Sequence, residues 1–592
     1  MNKRHIFLIL VFCAIAVNVL AVKVDPRPTT IVQSDGSRLT VVGRGNCEVH
    51  WYTTLDGVLL YHEGNDFYIA ELTASGQLLP TPQLAHEPGQ RTVDEKTVIA
   101  HQQRMAARFS SPPMLSPRHE PLKDNSTYFP HFGSPRVLVI LAQFQDVMFI
   151  DDDPIPVFEQ SLNAEDIDKK IGNRTVSLNY GSVMRYFEDM SDGAFTPQFD
   201  IYGPVTLSHE LKYYGEGSND QMSLFVPETC QLADEAGVDF SQYDANNDGL
   251  VDLVYIIYAG YSESITGNSS DCIWPKSGTL SGGVYDGVGV YRFGVHSELN
   301  GYPDDSWEKK NGMKRINGIG LFCHEFSHCM GLPDIYPTNS RAQDAGNPSM
   351  EYWDVMDGGE YTQNGYYPTE YTAWERETMG WMQMDTLTVD GNYELAPLGT
   401  ENKNAKAFRI MNENDPSGHE YVFLQNVQPV GFNQRLGQVL GHGLLITHVD
   451  YDKIAFSLES NSVNNNVGHS RMTIVPADDE YISYYMVDDS SESQSQYILS
   501  HKGDPFPGST GRTEISSFPF YTGTSPKSLL AISEDATTGL ISFTFNATES
   551  AIRSVMDVPA DTRREVYDIS GRRVINPIRK GVYIIGGRKV VM

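Results

Sequence analysis

The spacing of apolar residues changes several times along the chain, and each change marks a candidate unit. From about 28 to 85, short alternating runs are broken by the turns Ser34-Asp35-Gly36, Asp56-Gly57, Glu63-Gly64-Asn65-Asp66 and Ser75-Gly76, which predicts a small β-rich unit. Residues 86–133 are polar and rich in Pro and Ser around 110–117, the composition of an exposed linker open to proteolytic nicking. At Arg136 the character changes. Val137 to Ala142 is continuously apolar, as expected of a buried strand, and so are residues 253–259. Met184, Phe187 and Met190 recur at helical spacing within 181–190, and a second helix is predicted over 316–330. These runs place a mixed domain at 134–390. From 391 to 548 short strands return, for example Gly443 to Val449, and 549–592 reads as a polar linker followed by two short strands. No solenoid-type repeat is present.

At about 150 residues per unit, the 592 residues allow roughly three or four such units. With 40% hydrophobic and 20% charged residues, the composition is that of a globular chain with ample material for a large core. The formal charge of −32 would repel a phosphate backbone over most of the surface, which argues against a nucleic-acid partner. Residues 1–21 read as a signal peptide: Lys3 and Arg4 precede an apolar stretch from Ile6 to Leu20, with small residues near Ala21. No later apolar run is long enough to span a bilayer. Removing the signal leaves five of the six cysteines, an odd number for an exported chain, so disulfides are not the main source of stability.

The densest chemistry lies at 321–334, Leu-Phe-Cys-His-Glu-Phe-Ser-His-Cys-Met-Gly-Leu-Pro-Asp. On a helix, His324 and His328 stand one turn apart on the same face and can share a metal ion. Glu325 sits beside the first of them, within reach of a water at that ion. Ile316, Ile319, Phe322 and Phe326 supply an apolar flank for burial. Gly331 is placed to end the helix at positive φ and turn the chain back, which makes Asp334 available as a third ligand. Two His and one carboxylate leave a fourth position open, the arrangement of a catalytic zinc site. Glu351 is the rival third ligand, as a Glu on a later element. Cys323 and Cys329 flank the histidines but stand about 9 Å apart along a helix axis, too far to form a disulfide with each other.

His324-Glu325-x-x-His328-x-x-Gly331-x-x-Asp334 resembles the metzincin zinc signature with Asp as third ligand, the variant of the immune inhibitor A family of secreted metallopeptidases. Tyr352-Trp353-Asp354-Val355-Met356-Asp357-Gly358 is similar to that family's Met-turn, which implies Met356 as an apolar floor beneath the metal. The resemblance extends over Val137–Phe144, Asn179–Phe187, Tyr371–Trp381 and Gly441–Asp450. It implies an α+β fold: a metzincin-like domain with a mixed sheet and an active-site helix, a β-rich pro-region at 22–133 before it, and a β-sandwich-like domain behind it. It implies a secreted zinc endopeptidase acting on proteins or peptides, with Glu325 as general base and acid. His442 and Tyr361 are candidates for a second oxyanion donor. The alternative from another class is a surface adhesin or binding module that keeps a metal site without using it.

Two further segments carry expectations. Asp244, Asn246, Asp248, the Leu250 carbonyl and Asp252 fall at the oxygen-ligand positions of an EF-hand start, with Gly249 at the sharp turn, so a structural calcium is expected there. Position twelve is Tyr255, so the loop is truncated. Residues 565–590 resemble a short form of the type IX secretion sorting domain. That would make the outer-membrane export machinery of a Gram-negative bacterium a partner and place the protein outside the cell or at its surface.

Overall fold

The computed structural model describes Thr29 to Val591, except for residues 46–49, 64–65, 73–77, 110–121, 123–127, 166, 168–169, 172–173, 176–177, 216–220, 265–270, 302, 304–305, 400–405, 489, 548–565, 569–581 and 586–587. The expected signal peptide at 1–21 lies outside the described residues. Contacts divide the chain into two compact units, Met1–Arg118 and His119–Met592.

In the first unit, six strands between Thr29 and Leu84 form one sheet in sequence order, as the alternating pattern predicts. Where a linker was expected, Val93–Phe109 is a helix. Its start is a capping box: Thr92 Oγ1 accepts the Glu95 amide at 3.2 Å, and Glu95 Oε2 accepts the Thr92 amide at 2.7 Å. Ile99 joins Leu39, Leu60, Phe67 and Ile69 in a small core. The buried Gln102 amide donates to the Leu59 and Ala70 carbonyls, so the helix is tied to the sheet by polar as well as apolar contacts. A polar composition hid this helix from the apolar pattern.

The second unit is built on a mixed sheet. Its strands are β1 (Arg136–Gln143), β2 (Gln198–Thr206), β3 (Val254–Tyr261), β4 (Lys276–Tyr285) and β5 (Val288–Asn300), in the spatial order β2-β1-β3-β5-β4. The first four in that order run parallel, and β4 closes the edge antiparallel to β5. Alternate residues of β1 and β3 face opposite cores. Val137, Val139, Leu141, Tyr255 and Ile257 face one; Leu138, Ile140, Val254, Ile256 and Tyr258 face the other. Burial on both faces is why these strands read as continuous apolar runs.

Helices cover both faces. On the first lie α1 (Val183–Met190) and α3 (Gly320–Cys329); on the second lies α2 (Met222–Glu235). The buried stripe of α1 is Val183, Tyr186, Phe187 and Met190, with Met184 only half-buried. All ten residues of α3 are buried, and Phe326 packs against Phe129, Phe187, Phe195 and Phe199. The helix begins at Gly320 rather than 316 because Arg315–Ile316 pair with β5 instead. A side chain on Gly320 would meet the Glu360 carbonyl at 2.0 Å, so the helix start lies directly against the 360–365 segment.

Behind this layer is a five-stranded sheet whose central strands are β6 (Ala407–Met411), β7 (Glu420–Val427) and β8 (Gly443–Asp450). One of its faces, through Phe408, Ile410, Val422, Leu424 and Leu444, packs against a three-stranded sheet of Gly391–Leu395, Ser528–Glu534 and Ile541–Asn546. The other face, through Ala407, Tyr421, Phe423, Leu445 and Val449, joins the core that holds α3. The two-sheet packing expected after 390 is therefore present, but it shares a core with the mixed sheet and does not form a separate compact unit. The division at 133/134 likewise has no counterpart in the contacts. Phe129 is fully buried and its amide donates to the Cys329 carbonyl, while the Leu122 amide donates to the Thr378 carbonyl. At the far end, Val566–Asp568, Val582–Ile585 and Arg588–Val591 form a small antiparallel sheet.

Candidate metal centre

α3 ends in a Schellman turn. Gly331 has φ +105°; its amide donates to the His328 carbonyl and the Leu332 amide to the Ser327 carbonyl. A Cβ at Gly331 would lie 2.9 Å from Leu122 and 3.0 Å from Tyr128, so both conformation and space require glycine. The turn brings Asp334 back over the helix. Asp334 Oδ1 stands 3.2 Å from Nε2 of both His324 and His328.

The other atoms of these side chains fix their chemistry. His324 Nδ1 donates to the Val355 carbonyl at 2.8 Å, and His328 Nδ1 donates to the Leu332 carbonyl at 2.7 Å. A neutral imidazole that carries its proton on Nδ1 presents a bare lone pair at Nε2. Asp334 Oδ1 is buried and has no hydrogen-bond partner. Three acceptor atoms thus converge at the floor of a cleft, largely buried, an arrangement suited to a cation at its centre. Two imidazoles and a carboxylate are a donor set for a borderline divalent metal. Among the described residues this is the one group of three His, Cys, Asp or Glu side chains that converges closely enough to hold an ion.

The protein's own field points the same way. Burial by itself lowers the pKa of both imidazoles, but Glu360 and Asp334 around His324, and Asp334 beside His328, outweigh it, so both rings hold positive charge more readily than an ordinary histidine. Burial raises the Asp334 carboxyl, yet His328 and His324 hold it well below the usual carboxylate range. Burial keeps the Glu325 carboxyl above its usual value. Glu325 Oε2 has no hydrogen-bond partner, and Glu325 lines a cleft of about 760 Å³ together with the two histidines, Asp334, Tyr336 and part of β4.

The 352–358 segment packs against the site. The Asp354 carboxylate accepts the Met356 amide, and the Met356 carbonyl accepts the Ile335 amide, one residue beyond Asp334. Met356 is fully buried. Glu351 is no ligand. Its carboxylate accepts the Tyr481 and Tyr497 hydroxyls at 2.5 and 2.9 Å. His442 pairs with Glu534 at 2.8 Å and lines neither cavity beside α3; Tyr361 lines one of them. The 244–252 loop has the expected turn, with Gly249 at φ +86°, but its carboxylates are occupied by its own backbone. Asp244 accepts the Asp248 and Gly249 amides, Asp248 accepts the Leu250 amide, and Asp252 accepts the Ala245 amide.

Residues 131–387 match the model of the immune inhibitor A peptidase M6 catalytic domain. The matched segment belongs to the immune inhibitor A-like peptidases. Immune inhibitor A of Bacillus thuringiensis subsp. alesti is 26% identical over 300 residues, which cover 44% of this chain and 40% of that protein. Pre-pro-metalloprotease PrtV of Vibrio cholerae is 24% identical over 250 residues, covering 36% of this chain and 26% of that protein. The match therefore spans less than half the length of either relative. The immune inhibitor A-like segment contains α3 and its turn. No helix among the described residues is long and apolar enough to cross a membrane.

Two residues of the site were missed in the sequence. Asn461, on a loop after β8, accepts the Asp334 amide on Oδ1 at 2.7 Å and donates from Nδ2 to Asp334 Oδ2 at 2.6 Å. It is 127 positions from its partner, and no local pattern marks it. Asn464 and Asn465 extend the clamp, bonding the Ile335 carbonyl and the Thr338 amide. The second missed residue is Glu360. Its Oε2 is buried without a hydrogen bond, 3.5 Å from His324 Nδ1. The run of asparagines at 464–466 was the available signal for the clamp; Glu360 had none.

Two outcomes follow. Asn461→Ala should lower metal affinity by about 10–100-fold, the usual effect of losing a group that orients a ligand, as read by competition with a chelator. An unchanged affinity would show that Asp334 is held without it. Gly331→Ala should destabilise the fold by more than about 1 kcal/mol, because φ is positive and the Cβ has no room. The readout is the urea midpoint of unfolding, and a midpoint equal to wild type would contradict this account.

Proposed function

We propose that the chain is a secreted zinc endopeptidase that hydrolyses peptide bonds in proteins. One observation carries this reading: three converging acceptor atoms lie beside an unpaired, buried carboxylate on the floor of an open cleft. His324, His328 and Asp334 would hold the zinc, and the fourth position would face the cleft. When bound, zinc would supply Lewis acidity at the scissile carbonyl and lower the pKa of a water at the open position toward neutrality. The rest of the work falls to the chain. Glu325, adjacent to His324 on α3, takes the water's proton on its free Oε2 and passes it to the leaving amine. A carboxyl whose pKa is raised by burial is suited to both steps. The Val355 and Leu332 carbonyls keep both imidazoles in the tautomer that presents Nε2. The parallel with a metzincin Met-turn rests on Met356 and its link to Ile335. The calcium reading of 244–252 rests on residue spacing alone, and no step here depends on it.

The test is cleavage of casein by purified protein, with zinc content measured on the same sample and Glu325→Ala beside it. Zinc near one equivalent in both, with cleavage lost by at least about a hundredfold in the variant, is expected from a general base of this kind. Zinc without cleavage in either would favour the binding-module reading, and no zinc in either would remove the proposal.

From the sequence we also propose export, with 1–21 as signal peptide, a pro-region that follows it, and 549–592 as a short sorting-like segment. The packing of Leu122 and Phe129 restricts where a pro-region can be removed: cleavage N-terminal to Leu122 leaves the catalytic core whole, whereas cleavage at 133 takes Phe129 out of it. N-terminal analysis of the active form should give a start upstream of Leu122 and beyond Val22. A start at Val22 would show that there is no removable pro-region.

A further inference from the structure

A second cavity of about 820 Å³ opens beside the metal centre. It shares His324, Glu325 and Tyr336 with the first cleft but differs from it in charge. Lys276 and Arg292 line the first. Among the described residues no lysine or arginine lines the second; its walls are aromatic, with Trp274, Tyr361, Tyr484 and Tyr485, and three carboxylates besides the shared Glu325 border it.

Two of those carboxylates are satisfied within the protein. Glu351 accepts the Tyr481 and Tyr497 hydroxyls, and Asp357 accepts the Met350, Glu351 and Gly358 amides. Glu360 differs. It is only 6% exposed, and its Oε2 has no hydrogen bond. His324 Nδ1 stands 3.5 Å away, but its proton is engaged by the Val355 carbonyl at 2.8 Å. The backbone holds Glu360 where it is, since its carbonyl lies against Gly320 at the start of α3. A buried carboxylate oxygen without a donor is costly unless something brings one to it. The faces of the surrounding rings attract cations and offer little to an anion.

We propose that this cavity is the subsite for a lysine or arginine side chain of the substrate, next to the scissile bond, with Glu360 as the specificity-determining residue. The inference rests on the endopeptidase reading above. The side chain's apolar stem lies against the tyrosines, and its ammonium or guanidinium donates to Glu360 Oε2. Glu360 contributes to selecting the bond that is cut and takes no part in moving protons.

The experiment uses the zinc-loaded enzyme. Casein is digested and the cleaved bonds are mapped by mass spectrometry. Peptides spanning a favoured site are then compared with lysine free or acetylated, against wild type and Glu360→Gln. Lysine and arginine should be enriched at one fixed position flanking the cut. Acetylation should lower kcat/KM by at least about tenfold, as for loss of a charged hydrogen bond, and in Glu360→Gln that ratio should fall toward one. Acetylation needs only the wild-type enzyme, so this arm stands even if the variant folds poorly. Efficient cleavage with no basic preference would overturn the proposal, and so would a lysine preference unchanged in Glu360→Gln. Equal slowing of both peptides in the variant would make Glu360 a support for His324 and would also overturn it. If wild type cleaves nothing, the peptidase reading itself fails, a result distinct from any of these.

Discussion

Three electron pairs pointed at one another at the largely buried floor of a cleft are the constraint around which this chain is arranged. His324 Nε2, His328 Nε2 and Asp334 Oδ1 repel one another unless a positive charge sits among them. Proteins do not ordinarily keep such a cluster, and keeping it here requires opposing restraints. The Val355 and Leu332 carbonyls hold the imidazoles by their far nitrogens, and Asn461 grips both the amide and the second carboxylate oxygen of Asp334. Each restraint comes from a different part of the chain, so the site is as rigid as the packing between those parts.

That dependence explains why the β-rich region after 390 shares a core with the mixed sheet. A loosely tethered domain would let Asn461 drift, and a small displacement changes a ligand's geometry far more than it changes a surface contact. The face of the five-stranded sheet that carries Tyr421, Phe423 and Leu445 is buried in the same core as Phe322 and Phe326 of α3. Sheet and helix therefore share one packed core, and the clamp follows the sheet's last central strand in the chain.

The convergence of His324, His328 and Asp334 was legible because its whole geometry is local. His324 and His328 are one helical turn apart, and Gly331 and Asp334 follow within the next turn and a half. Buried strands were legible where both faces are covered, as in β1 and β3, since a strand with one face in water would alternate apolar with polar residues. What the sequence concealed depends on distant pairing. Asn461 and Glu360 are ordinary residues until the fold sets them beside the site. Residues 93–109 looked like linker because most of the helix is polar, although the Thr92–Glu95 capping box was there to be read. The loop at 244–252 is a case where spacing alone does not decide: the oxygens that suit a calcium site also close a tight turn on the loop's own amides.

The position of Asn461 also has a consequence for the order of events during synthesis. When a growing polypeptide has released His324, Glu325, His328 and Asp334, the residue that fixes Asp334 is still 127 positions from being made. The helix and its turn can form, yet Asp334 is not anchored. The centre is finished only once the strands around Tyr421 and Leu445 have folded onto the helix. A ribosome-bound or prematurely terminated chain thus carries every residue of the signature without the assembled site.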